Sequence, residues 1–87
     1  MTMRYDLILE GALYTQRKAI RLVELHAPKV IMEHELNRIN ANLDKYTAEY
    51  TLAVKYERED LIEIYGFILV KTLEAKKTYE NALKEVI

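Results

Sequence analysis

Two histidines with acidic neighbours are the first residues whose types could do chemistry. His26 and His34 lie on either side of Pro28, and Glu33 and Glu35 flank His34. Imidazole nitrogens and carboxylate oxygens are the ligands from which zinc and di-iron sites are built. The spacing fits neither site, because no glutamate stands three residues before either histidine and "HELNR" lacks the second histidine of a zincin helix. We therefore predict that the protein binds no metal and no cofactor.

A cluster of carboxylates offers a second chemistry, either a divalent-ion site or a general acid and base pair. Its members are Glu57, Glu59, Asp60 and Glu63, with Lys55 and Arg58 interleaved among them. Interleaved charges of both signs predict a solvated turn or helix face. Glu63 is the exception, because its apolar neighbours predict that its side chain is buried. No nucleophile, cofactor motif or second converging acid accompanies Glu63, so we predict that the protein is not an enzyme.

A small basic patch offers a third chemistry, the binding of nucleic-acid phosphates. It consists of Arg17, Lys18 and Arg21 on the first predicted helix. The formal net charge of −1 supplies little of the counterion release that drives such binding. Pairs such as Lys45 and Glu49, four residues apart, indicate an exposed helix surface carrying salt bridges. Nucleic-acid binding through the patch is therefore the alternative function.

The composition limits the class of protein further. The chain has 87 residues, of which 51% are hydrophobic and 31% charged, as in one small folded domain. It contains no cysteine, which excludes disulfides and thiolate sites and favours the cytoplasm. We predict no signal peptide, and no apolar run has the length of a membrane span. The abundance of Ile, Leu, Glu, Lys and Tyr, with no serine or tryptophan, is typical of thermophile proteins.

The elements that position these residues are predicted to be helices only. Gly11, Pro28 and Gly66 alone interrupt a run of helix-compatible residues, and no stretch alternates like a strand. Proline ends one helix and suits the first turn of the next. We predict an all-α fold, either a three-helix bundle with helices at about 4–26, 29–57 and 60–86 or a long hairpin in which 29–86 is one helix.

Each predicted helix carries an apolar stripe. On the first helix the stripe is Tyr5, Ile8, Leu9, Ala12, Leu13, Ala19, Ile20 and Val23, edged by small residues that would let another helix approach closely. Later residues follow alternating steps of four and three, as in coiled-coil seams. The seams are Met32, Leu36, Ile39, Leu43, Tyr46, Tyr50 and Ala53, and then Leu61, Tyr65, Ile68, Thr72, Ala75, Tyr79, Ala82 and Val86.

The phase of the pattern slips by one residue between the two seams. Asp60 followed by Glu63 resembles a capping signature, which favours a turn near residues 57–60. The turn-tolerant stretch 37–44 is the weaker alternative, because its seam continues without a break. A continuous helix with a local discontinuity is the remaining interpretation.

The stretch "LIEIYGFILV", residues 61–70, leaves almost no polar face, so we expect it to be covered on more than one side. Gly66 inside it indicates close approach of a neighbouring helix. The predicted interface residues are Leu61, Ile64, Tyr65, Gly66, Ile68 and Leu69, together with Tyr46 and Tyr50. We predict a small helical protein that associates with itself or with another protein. It would be a self-assembling adaptor, or an accessory subunit or inhibitor of the kind that viruses and plasmids encode.

Overall fold

The computed structural model describes residues 3–85, with side chains described for residues 7–85. Within residues 3–85 the chain forms three α-helices and no strand: α1 (Met3–Glu24), α2 (Lys29–Lys55) and α3 (Glu59–Glu85). The prediction of an all-α fold is confirmed. The single helix over 29–86 is not formed, because residues 56–58 separate α2 from α3. Val86 and the side chain of Tyr5 lie outside the described residues.

The turn between α1 and α2 ends the first helix with a left-handed residue. His26 has a φ of 55°. Its N–H donates to the carbonyl of Val23 at 3.1 Å, and the N–H of Ala27 donates to the carbonyl of Leu22 at 2.9 Å. These two bonds form a Schellman motif, which satisfies the last carbonyls of α1. Pro28 follows as the N-cap residue of α2, which begins at Lys29, the start that the sequence predicts.

The turn between α2 and α3 repeats the same motif without a proline. Glu57 has a φ of 55° and donates to Val54 at 3.1 Å, while the N–H of Arg58 donates to Ala53 at 2.9 Å. The predicted turn near 57–60 is therefore present, and 37–44 lies inside α2. The predicted helix ends at 26 and 57 are the left-handed residues themselves, so each helix ends two residues earlier.

The start of α3 differs from the predicted capping signature. The helix begins at Glu59, so Asp60 is its second residue, and the N–H of Ile62 donates to the carbonyl of Arg58 at 2.9 Å. Oδ2 of Asp60 accepts a hydrogen bond from Nη2 of Arg58 at 3.4 Å. That bond, with another from the backbone N–H of Leu61, lowers the pKa of Asp60. The carboxylate therefore supports the positive end of the helix from within its first turn.

The three helices pack around α3. Both α1 and α2 lie close against α3, whereas the backbones of α1 and α2 approach each other at few points. At the two ends of α2, Met32 lies beside Ala82 and Ala53 beside Leu61, so α2 and α3 are antiparallel. The arrangement is elongated and flattened, with Cα extents of 44 × 23 × 15 Å.

The core lies where the predicted stripes meet. Its main cluster of buried residues consists of Ala19, Met32, Ile39, Leu43, Ala75 and Tyr79. Every described member of the two predicted seams is buried or half-buried, so both seams face inward. The small-residue edge of α1 supplies the fully buried Ala19, in the same cluster as Ala75 of α3. The hydroxyl of buried Thr72 donates to the carbonyl of Ile68 at 2.7 Å, so this polar group is satisfied within its own helix.

The hydropathy of the helices was also compared with that of membrane spans. Over the described residues, no helix is long and apolar enough to cross a membrane.

Candidate functional site

The apolar stretch 61–70 is divided between two faces of α3. Ile68 is 1% exposed, in the core. The other predicted interface residues are half-buried, and they are Leu61, Ile64, Tyr65, Gly66 and Leu69 on α3 and Tyr46 and Tyr50 on α2. The structure thus brings these residues together inside one chain.

The tyrosines among them form the contact between α2 and α3. The rings of Tyr46 and Tyr65 have centroids 6.3 Å apart and planes inclined by 37°. A Cβ atom at Gly66 would lie 3.7 Å from Cε2 of Tyr50, which is an ordinary van der Waals distance. An alanine would therefore fit at position 66. The expected close approach of a neighbouring helix does not require this glycine.

The exposed apolar residues of the stretch lie on the opposite side of the helix. Phe67 is 38% exposed, Val70 53% and Leu73 51%. We define the outer face of α3 by six residues: Glu63, Gly66, Phe67, Val70, Leu73 and Lys77. Residues at this spacing share one side of a helix. The outer face therefore carries an apolar strip between Glu63 and Lys77. The exposed Glu74, four residues after Val70 and seven after Phe67, lies on the same side of the helix.

Glu63 was expected to be buried among its apolar neighbours, and this prediction is wrong. Its side chain is exposed, because position 63 falls on the outer face while Ile64 and Leu61 turn inward. Periodicity over two turns determines the exposure of a helical residue, and the identity of its chain neighbours does not.

Two charged residues on and beside the outer face, Lys71 and Glu74, already have partners within the chain. Nζ of Lys71 lies 5.6 Å from the centroid of the Phe67 ring and 3.7 Å from Oε2 of Glu74. Nε2 of Gln16 on α1 donates a hydrogen bond to Oε2 of the same carboxylate. The Glu74 charge is therefore balanced on the side of the face that borders α1.

The predicted basic patch is reduced by an ion pair. Nζ of Lys18 lies 3.0 Å from Oε1 of Glu35, and Nη1 of Arg38 lies 3.5 Å from the same oxygen. Lys18 thus joins α1 to α2. Arg17 and Arg21 are exposed, and no ion pair links either of them to another described residue. Two arginines remain available of the three predicted cations.

The residues considered for metal binding or catalysis do not converge. His26 and His34 are both exposed, and Glu35 binds Lys18. Among residues 7–85, no group of three histidine, aspartate or glutamate side chains could hold a metal ion. Of the acidic cluster, Asp60 binds Arg58, and the other three carboxylates are exposed.

Tyr79 has the most perturbed titration among the core residues. Burial raises the pKa of its phenol to about 12, and the negative charge of Glu35 adds to the increase while Arg38 opposes it. Tyr79 is 1% exposed and belongs to the main cluster of buried residues, where its ring packs in the core.

The outer face has a periodic pattern of its own in the sequence, in addition to the two predicted seams. Glu63, Gly66, Val70, Leu73 and Lys77 follow steps of three and four, a second series with the period of a coiled-coil seam. Leu73 and Lys77 lie beyond the apolar stretch and were not predicted as site residues.

Comparison of the chain with models of protein families, with curated proteins and with solved structures gives no match.

Proposed function

We propose that this protein is a small helical protein–protein interaction module of the cytoplasm, which acts by binding helix to helix and has no catalysis of its own. Its partner is a second copy of the chain or a larger complex of which it is an accessory subunit or inhibitor. The observation that carries this proposal is the exposed apolar strip of Phe67, Val70 and Leu73 on the outer face of α3.

The strip supports the proposal through its continuity and its spacing. Single exposed apolar side chains are common on any protein surface and need no explanation. On α3, Gly66, Val70 and Leu73 follow the alternating steps of four and three that helices use to bind helices, and the exposed Phe67 lies beside them. The small size of the chain adds to the argument, because a domain of this length buries only about 60% of its unfolded surface on its own.

The first test is the mass of the protein in solution, measured by light scattering on a sizing column over a hundredfold range of concentration. A mass that rises above the 10.3 kDa of one chain supports self-association. The matched variant carries Phe67→Ser, Val70→Ser and Leu73→Ser, which removes the strip and leaves the core seam untouched.

The second test addresses a different protein as the partner. Wild type and the triple serine variant are each used to capture proteins from a cell extract. A partner retained by wild type and lost with the variant supports the accessory-subunit form of the proposal. A chain that stays monomeric and captures nothing through the strip would contradict the proposal as a whole.

The alternative function is nucleic-acid binding, and the exposed pair Arg17 and Arg21 is the observation that favours it. These side chains lie one turn apart on α1 and have no carboxylate partner among the described residues. Two phosphate contacts would give weak binding with a shallow salt dependence. Binding to duplex DNA at low salt that Arg17→Glu and Arg21→Glu abolish would favour this alternative, and no binding at low salt would remove it.

A further inference from the structure

We infer that two copies of this chain pair through the outer faces of their α3 helices, in an antiparallel arrangement with Val70 of each copy at the twofold axis. This inference rests on the proposed function and names the partner, the surface and the register. The interface would be isologous, since both copies contribute the same residues.

The register follows from the distribution of residues about Val70. Phe67 and Leu73 each lie three residues from Val70, and Glu63 and Lys77 each lie seven residues from it. In an antiparallel pair centred on Val70, positions equidistant from the centre come to the same height. Phe67 of one copy then lies level with Leu73 of the other, and the two Val70 side chains meet in the middle. The apolar strip of each copy is covered along its whole length.

The charges at the ends of the face determine the direction of the pairing. Antiparallel pairing places Glu63 of each copy beside Lys77 of the other, which gives two equivalent ion pairs of opposite charges. Parallel pairing would place Glu63 beside Glu63 and Lys77 beside Lys77, and like charges across an interface are destabilising. Glu63 and Lys77 are both exposed, and neither forms an ion pair with another described residue.

The remaining charges near the face are compatible with this register. Glu59 and Asn81 each lie eleven residues from Val70, so this acid meets an amide in the second copy. Glu74 is already neutralised by Lys71 within its own chain. A hydrogen bond from Gln16 on α1 also holds this carboxylate, which in this register lies level with Gly66 of the second copy.

The first experiment reverses the charges singly and together. Dimer dissociation constants are measured by sedimentation equilibrium for wild type, Glu63→Lys, Lys77→Glu and the double variant. Each single change replaces two attractive charge pairs with two repulsive ones. We therefore expect the dissociation constant of the dimer to rise roughly tenfold. The double variant restores opposite charges and should return to within about threefold of wild type.

The control for charge is Asp44→Lys, which makes the same change at an exposed position of α2 outside the outer face. It should leave the dissociation constant unchanged. Single variants that dimerise like wild type, or a double variant that does not recover, would overturn the inferred register.

The second experiment uses cysteine, which the chain lacks. Val70→Cys should form a disulfide-linked dimer on mild oxidation, because the twofold axis brings the two thiols together. Glu63→Cys should not link to itself, since the two positions 63 lie fourteen residues apart along the pair, roughly 21 Å. It should instead link to Lys77→Cys when the two variants are mixed. Parallel pairing would link each variant to itself.

The outcomes separate this inference from the proposed function. A wild-type assembly in which Val70→Cys does not cross-link overturns the inference and leaves the proposed function in place. A wild-type chain that stays monomeric and captures a different protein through the strip also overturns the inference and leaves the proposed function in place. A monomer without a strip-dependent partner contradicts both.

Discussion

The inner and outer faces of α3 have the same spacing and different surroundings. The inner seam, with Ile68 and Tyr79, is buried against α1 and α2, whereas Val70 and Leu73 on the outer face are about half exposed. The inner seam contains polar groups such as Thr72, which the fold satisfies internally. The outer face carries the exposed Phe67, Val70 and Leu73, with Glu74 beside Val70 and a charged residue at each end. The same four-and-three period thus occurs on a buried seam and on an exposed strip, so the period alone does not tell which of the two the chain covers with its own helices.

The largest expected difference between the faces comes from one acidic substitution on each. Ile68→Asp places a charge in the core without a partner, so we expect a loss of about 4 kcal/mol or more in the free energy of unfolding. Val70→Asp places the same charge in water and should change the monomer's stability by less than about 0.5 kcal/mol. Urea unfolding followed by helical circular dichroism, at low protein concentration, measures both. Equal losses would show that the two faces are not distinct.

Alkaline pH tests the inner face when wild type is compared with a variant of Tyr79, because other lysines and tyrosines titrate equally in both. The pKa of Tyr79 is about 12 in the folded chain, against 10.0 for an unperturbed tyrosine. The unfolded state therefore loses this proton first, so stability is fully present below pH 10.0 and falls as the pH rises toward 12. The loss attributable to Tyr79 is at most about 3 kcal/mol.

The variant for this test is Tyr79→Phe, which should make the pH dependence of unfolding shallower above pH 10.0. Tyr14→Phe on the exposed surface of α1 is the matched control and should leave the dependence as in wild type. The prediction fails if the two variants have the same alkaline profile.

A smaller effect is expected at the boundary between the faces. Gly66→Ala adds a methyl group that meets Tyr50 at an ordinary distance, and it removes the entropic cost of glycine in a helix. We expect a gain of about 0.5–1 kcal/mol in the free energy of unfolding. Gly11→Ala, whose added Cβ would have no neighbour within 4 Å, should give a similar gain. A loss at position 66 alone would indicate a closer approach of α2.

The smallest effect is expected on the solvent side of α1. Arg21→Glu should leave helicity and stability within about 0.5 kcal/mol of wild type, because its side chain is exposed and unpaired among the described residues. Lys18→Ala removes the ion pair with Glu35 and should cost up to about 1 kcal/mol. Thermal melts in low and high salt should show a larger salt effect for wild type than for Lys18→Ala.

The sequence predicts the seams of α2 and α3 well because burial of an apolar stripe requires the helical period. It does not predict how α1 and α2 are arranged around α3, since an apolar stripe indicates that a face is buried and does not identify which helix buries it. The end of α2 was predicted from a shift of phase and from the Asp60–Glu63 capping signature. No turn residue marked it, because Glu57 adopts the left-handed conformation that glycine or asparagine usually occupies.

The predicted interface residues of α3 and its exposed apolar strip lie on different sides of the helix. Treating residues 61–70 as one apolar block led to Tyr65 and Ile68, which the chain covers with its own α2 and α1. The strip that remains exposed continues to Leu73 and is visible only when the block is divided by helical angle.

The contact of α1 with α3 joins residues that are far apart along the chain. This separation predicts the order in which the helices come together during folding. Gln16 and Glu74, which hydrogen-bond across this contact, are 58 positions apart, whereas residues 56–58 alone connect α2 to α3. Closing a short loop costs less entropy than closing a long one. We therefore expect the α2–α3 hairpin to form first and α1 to dock last. Amide protons of α1 should then exchange with solvent before those of the hairpin, with the first helix detaching as a unit.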